Sequence, residues 1–272
     1  MPARAPTPDR AFAVTAAAVL AAYNNVVGRH PWHNRWYVPL NTGATGAVLA
    51  AAAASGLTAA DIGFGPGSWR LGRAGTEWTG AVAAGWLLIA TVPATRPVLS
   101  DKRSAGLSGR RAVYQAAVRI PVGTVLWEEV AFRGVLQASL RRVLPLPAAI
   151  AVTSGVFGLW HIRPTWQALR TNGLADDRRQ AVARVSAVCA GMAASGALLS
   201  WLREQSGGLA APIALHLVTN SGGAVAAWAV RTRPQRSANT ALPRDRTGPP
   251  QHVHRIAADL TTETRPGIST RS

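Results

Sequence analysis

Two glutamates and an arginine stand in one of the most apolar parts of this chain, Val125-Leu126-Trp127-Glu128-Glu129-Val130-Ala131-Phe132-Arg133-Gly134. A charge in a hydrocarbon-facing helix costs at least ~2.5–3.5 kcal/mol per residue on insertion scales, so such residues pair, face a bundle interior and carry function. Glu129 and Arg133 are four apart, which puts them on one helix face with the acid N-terminal to the base, where they can neutralise each other. Glu128 then points about 100° away and is free to address the bundle interior. A buried structural ion network accounts for the same three charges, because such networks also perturb carboxylates.

Two later apolar stretches carry polar side chains at helical spacing. His161 follows Phe157 by four residues, so the phenyl ring can pack on the same face as the imidazole. His216 and Asn220 are also four apart, about 6 Å along a helix axis, and side chains so placed can jointly hold a water or a metal. Each pair alone also reads as interhelical hydrogen bonding. Together, a carboxylate, two histidines and an amide on three consecutive spans can converge in a bundle. There a carboxylate can serve as general base toward water, and an amide or imidazole can stabilise an oxyanion. Alternatively a divalent metal such as zinc polarises the water, with His161, His216 and Asn220 as candidate ligands. Either route is hydrolysis within a membrane.

The elements that must position these residues follow from composition. Of 272 residues, 48% are hydrophobic and only 15% charged, well below the ~25% usual for soluble domains. Several apolar runs approach the ~20 residues that cross a bilayer. The expected fold is therefore all-α, a polytopic transmembrane helix bundle of about seven spans. These are Ala11 to Val27, Val38 to Leu57, Trp78 to Ala94, Ala112 to Leu140, Leu146 to Ile162, Val185 to Leu202, and Leu209 to Val230. Asn24 and Asn25 are placed to hydrogen-bond to a neighbouring helix, Trp32 and Trp36 to sit at a water–lipid boundary. The Ala- and Gly-rich second span is suited to close packing, and Pro121 to kinking the fourth. Asp61 to Thr76 and the stretch from Pro164 to Arg179 read as polar loops, and Gly207-Gly208 as a turn. Residues 1–10 are an N-terminal segment, residues 11–230 the membrane domain, and residues 231–272 a disordered basic tail.

The net charge of +17 does not indicate nucleic-acid binding, because the arginines separate apolar runs instead of forming a patch on a soluble fold. Cys189 is the sole cysteine, so no intrachain disulfide forms, and it reads as buried packing. No cleavable signal follows the first apolar run. Abundant Arg, Ala, Gly and Pro with one lysine, Lys102, suggest a GC-rich bacterial genome, hence a multi-pass protein of the bacterial plasma membrane.

The series Glu128-Glu129-x-x-x-Arg133, Phe157-x-x-x-His161 and His216-x-x-x-Asn220 resembles, in order and spacing, the three motifs of the CPBP family. These are the CAAX-protease and bacteriocin-processing membrane endopeptidases, also called the Abi family, which include the prenyl-protein endopeptidase Rce1. The likeness covers about Ala112 to Val230. It implies an intramembrane endopeptidase acting on a membrane-associated protein or peptide. Glu128 would activate the water, His161, His216 and Asn220 would complete the site, and Glu129 and Arg133 would support it. It also implies a site facing the cytoplasm, and often an eighth span. Counting depth along the spans instead places the site toward the sparsely charged loops, such as that at Arg141 to Pro145, which the positive-inside rule assigns to the exterior. Two other functions fit three polar spans: a proton-coupled transporter, for which no inverted repeat is visible, and a non-catalytic scaffold or immunity protein, against which the complete motifs argue.

Overall fold

The computed structural model describes residues 7–99 and 108–232, and all of these fall within one compact unit, Met1–Arg233. The tail expected to be disordered lies, from residue 233 on, outside the described residues, as does part of the basic loop after the third span. The described residues form helices and connecting turns without a strand. In chain order the helices are α1 (Thr7–Val26), α2 (Tyr37–Ala54), α3 (Gly72–Thr91), α4 (residues 109–141), α5 (Leu146–Trp160), α6 (Ile162–Asn172), α7 (Arg178–Ser206) and α8 (Ala210–Thr232). Three are long and apolar enough to cross a bilayer by length and composition, over Pro8–Arg29, Arg178–Ser206 and Ala210–Thr232. The bundle turns many large apolar side chains outward, among them Val14, Leu87, Leu88, Val118, Val152 and Val225. It buries polar ones such as Asn41, Glu128, Glu129, Arg133, Gln137 and Arg203. That distribution suits a lipid solvent, in which helix association is driven by packing and interhelical hydrogen bonds.

Seven rods stand where seven spans were expected, with differences that have local causes. Residues 162–172 are helical, not loop; Pro164 falls in the first turn of α6, where a missing N–H leaves no intrahelical bond unmade. The break between α5 and α6 falls at His161 itself (φ −92°, ψ 1°), in the sparsely populated bridge region where many active-site residues sit. Helix α3 begins at Gly72, so its first turns were misread as polar loop.

Helix α4 carries Pro121 within a π-helical stretch, Gln115–Leu126, and is π-helical again over Glu129–Leu136. A π-turn bonds i to i+5, and such turns are frequent at functional sites. This register relaxes the clash between a proline ring and the carbonyl four residues earlier. Close packing against α2 comes from α4, not from the glycines of α2. A Cβ at Gly123 would lie 2.9 Å from the Tyr37 ring, whereas Gly43 and Gly46 face open space.

Helix α1 is fastened to the end of α5. Asn24 Nδ2 donates to the Trp160 carbonyl (3.1 Å) and Asn25 Nδ2 to the Leu159 carbonyl (2.9 Å), as their position suggested. Trp32 and Trp36 are exposed in the link between α1 and α2. Cys189 is half-buried instead of buried. Its carbonyl fixes the spacing of α5 and α7, because a Cβ at Gly158 would come within 2.7 Å of it. We expect Gly158→Val to force these helices apart and to cost about 1–3 kcal/mol, as overpacking does. Thermal unfolding of the detergent-solubilised protein measures this, and an unchanged midpoint would mean that the two helices are free to separate there.

Candidate active site

The three polar motifs meet where α4, α5 and α8 pack together. Glu129 is fully buried and its Oε1 is the centre of the arrangement. It accepts from Arg133 Nη1 at 3.0 Å and from His216 Nδ1 at 2.6 Å. Arg133, also fully buried, reaches the Gly196 carbonyl on α7 with Nη2 (3.4 Å). Its guanidinium lies 4.1 Å from the centre of the Phe157 ring, a desolvated cation–π geometry. Gly196 lets α5 and α7 lie close here, because a Cβ there would come within 3.2 Å of Phe157 Cδ1 and 3.3 Å of Ser154 Cα.

His216 carries the arrangement on to Glu128. With Nδ1–H donated to Glu129, the other nitrogen, Nε2, faces Glu128 Oε2 at 3.9 Å. The two glutamates therefore do not point apart. Both address one imidazole, because the π-helical backbone turns less per residue than the α-helix assumed from sequence, and because an imidazole presents a nitrogen on each edge. Glu128 Oε1 accepts from Trp160 Nε1 at 3.0 Å, and Oε2 is buried without a hydrogen-bond partner.

Glu128, Trp160, His161 and Asn220 line a cavity of about 950 Å³. His216 is buried behind this wall. His161 Nδ1 donates to the Phe157 carbonyl (2.8 Å), and the rings of Phe157 and His161 meet edge-on with centroids 4.7 Å apart, as their spacing predicted. Asn220 sits in a single π-turn, Val218–Gly222, and its amide makes no hydrogen bond within the described structure.

Both histidines thus hold a proton on Nδ1 and present a bare Nε2 when neutral, the tautomer that metal-ligating histidines adopt. The donor types suit a divalent ion. However, among the described residues no three His, Cys, Asp or Glu side chains are gathered closely enough to hold one.

The cavity opens on the side opposite to the one that depth counting gave. Its mouth is formed by the link between α1 and α2 (Gly28, Arg29, Pro31, Asn34) and by α6 (Pro164, Trp166, Arg170). These are the arginine-rich ends of the bundle. Depth counting failed because the nearer helix end is not the end from which the cavity enters: Glu128 and His216 lie closer to the Arg141 and Ala210 ends of their helices, whereas the residues that line the cavity with Glu128 lie at the other end. His161, at the very end of α5, marks the correct side.

Trp160 escaped the sequence reading, since an indole in an apolar span reads as packing. It is 2% exposed and stacked on Tyr23 (centroids 5.7 Å, planes 2° apart), so its N–H is held rigidly toward Glu128. Also missed was a polar cluster at the other end of α4. There Gln137 Nε2 donates to Glu204 (2.8 Å), Arg203 Nε donates to the Arg133 carbonyl (3.0 Å), and Arg203 Nη2 donates to the Asp61 carbonyl.

Residues 111–222 match the family model described as type II CAAX prenyl endopeptidase, Rce1-like, the family that the three motifs resemble. At the level of that family the match supports a CAAX-type intramembrane endopeptidase, a hydrolase embedded in the membrane. No curated protein and no solved structure matches the chain.

Removing one partner of the buried Glu129–Arg133 pair leaves a lone charge in a desolvated place. Glu129→Gln and Arg133→Gln are each expected to cost about 3–5 kcal/mol. The double variant Glu129→Leu/Arg133→Leu should lose clearly less than the two single losses added. Simple additivity in thermal unfolding would show that the two charges do not interact.

Proposed function

We propose that this chain hydrolyses a peptide bond of a membrane-associated protein or peptide, with Glu128 as the general base. The observation that carries this reading is the Glu128 carboxylate itself. One oxygen is fixed by Trp160 and the other is buried and unpartnered, and the residue lines a cavity with His161 and Asn220. A carboxylate so held can take a proton from a water between it and His216 as the water oxygen bonds to the scissile carbonyl carbon. The carbonyl electron pair moves to oxygen. The Asn220 amide is the donor for that oxyanion which needs no prior protonation, whereas His161, already donating from Nδ1, can donate from Nε2 only as imidazolium. When the C–N bond breaks, the proton held by Glu128 passes to the leaving amine. Glu129 and Arg133 act indirectly, by fixing the tautomer and orientation of His216.

Purified Glu128→Gln and His161→Ala are expected to lose peptide cleavage while unfolding at temperatures near wild type. Asn220→Ala should lower kcat by about 10²–10³-fold, as loss of one oxyanion donor does. Comparing the peptides cleaved in cells by wild type and by Glu128→Gln identifies the substrate. Normal cleavage by Glu128→Gln rules the mechanism out.

We further propose that the site faces the cytoplasm, because the cavity mouth coincides with the loops that the positive-inside rule keeps there. Reporter fusions check this. A fusion within the Arg141–Pro145 turn should report an external position, and one after Thr232 a cytoplasmic position. The reverse pattern overturns the orientation.

A further inference from the structure

A second cavity, of about 780 Å³, is a groove between α3, the first turns of α4, and α8. None of Glu128, His161 and Asn220 lines it. Small side chains, among them Ala83, Ala116 and Ala229, leave the space, and its rims include Leu87, Val113 and Val225, each at least half exposed. One wall is fixed. The Trp86 ring is pressed on the backbone of α8, where a Cβ would come within 3.0 Å of it at Gly222 and 2.9 Å at Gly223. Along α8 the groove runs from Leu217 to Ala229, about 18 Å at the α-helical rise. One leaflet of a ~30 Å hydrocarbon core is about 15 Å deep, so the groove has the depth of a single leaflet. It ends at the start of α4, where a Cβ at Gly109 would lie 3.8 Å from the Trp228 ring. The next two residues, Arg110 and Arg111, are exposed, and neither is paired with a carboxylate among the described residues.

An occupant of this groove must be apolar over the depth of one leaflet and anionic at one end. A second copy of the chain does not meet that condition. Two copies in one membrane share an orientation, so a groove-to-groove contact would set Arg110 and Arg111 of both side by side, and like charges so placed repel. A glycerophospholipid with an anionic headgroup meets it at both ends. Its acyl chain fills the space that the alanines leave, and its phosphate accepts charge-assisted hydrogen bonds from the guanidiniums. Basic sites beside membrane helices recognise anionic headgroups in this way, and an indole such as Trp228 favours the headgroup level. We propose that the groove binds one anionic glycerophospholipid of the leaflet at the arginine-rich end, with an acyl chain along α8 between α3 and α4 and the phosphate at Arg110 and Arg111. The bound chain bridges α3 and α4 and stabilises this side of the bundle. The site does not depend on the reaction assigned to Glu128.

The full-length protein in uncharged detergent is mixed with dioleoyl phosphatidylglycerol, dioleoyl phosphatidylcholine or glycerol 3-phosphate. Native mass spectrometry counts the molecules retained, and thermal unfolding reads their effect on stability. One phosphatidylglycerol should be retained and should raise the unfolding temperature by mass action. Phosphatidylcholine, with the same chains and no net charge, should be held about 30-fold less tightly, from two arginines at roughly fivefold each. Glycerol 3-phosphate, a headgroup without chains, should neither be retained nor stabilise. Arg110→Gln/Arg111→Gln should reduce phosphatidylglycerol to the level of phosphatidylcholine. Ala117→Trp and Val113→Trp, at exposed positions that line the groove, should each fill it and lower the retention of both phospholipids. Equal retention of the two phospholipids by the unaltered chain overturns the proposal, whether or not any variant folds. Undiminished phosphatidylglycerol binding in the folded tryptophan variants, binding of glycerol 3-phosphate as tight as that of the lipid, or a dimer that the tryptophans dissociate also overturns it.

Discussion

The carboxylate of Glu129 is the constraint on which the rest of the site depends. It is fully buried and receives Arg133 and His216 on one oxygen. A charge buried this deeply persists only when it is paired and hydrogen-bonded, so three helices must meet at this point: α4 supplies the acid and its guanidinium partner, α8 the imidazole, and α5 the Phe157 ring under the guanidinium. Pairing also fixes which nitrogen of His216 carries the proton. The chemistry at Glu128 therefore begins one residue away, in an ion pair that never touches substrate.

Around this centre an apolar core that includes Trp127, Phe132, Leu136 and Phe157 is tightened further by small residues and backbone acceptors. Gly158 and Gly196 let α5 lie on α7, and Gly123 admits the Tyr37 ring. Arg203 fastens α7 to the backbone of α4 at Arg133, and Asn24 and Asn25 fasten α1 to the last turn of α5. In a lipid solvent, hydrophobic burial does not favour one helix neighbour over another, so close packing and interhelical hydrogen bonds must. The same contacts hold Trp160 and His161 at the cavity wall.

The electrostatics of the two ends differ. At the end carrying Glu204 and Asp61, arginines and acids are matched: Arg141 with Glu204 at 2.7 Å, and Arg142 with Asp9 at 3.3 Å. Asp61, in the turn between α2 and α3, has its carboxyl held below the usual carboxylate range by the Thr58 backbone N–H and hydroxyl. Any stability it adds is present at neutral pH and fades as pH falls through that lowered value. At the cavity end the arginines line a solvent-accessible cleft with, among the described residues, one acid, Glu128.

The apolar runs, and the placement of Glu128, Glu129 and Arg133 in one, of His161 in the next and of His216 and Asn220 in the last, were sufficient to read an all-α membrane bundle and to group these side chains. Composition and the cost of charge in lipid act on each span separately, so both are visible in one dimension. The Glu129–Arg133 pairing and the Phe157–His161 contact were legible too, because four-residue spacing sets them within one helix. What joins different helices was not. The bridge from Glu129 through His216 to Glu128, the Trp160 donor and the arginine-lined cavity depend on which helices touch and at what rotation. The side on which the cavity opens was misread for the same reason, since the distance from a residue to its own helix end does not say at which end neighbouring helices leave space. The π-helical register of α4 decided that both glutamates meet one imidazole, and backbone register is settled by packing against α2, α5 and α8, not by the order of residues within α4.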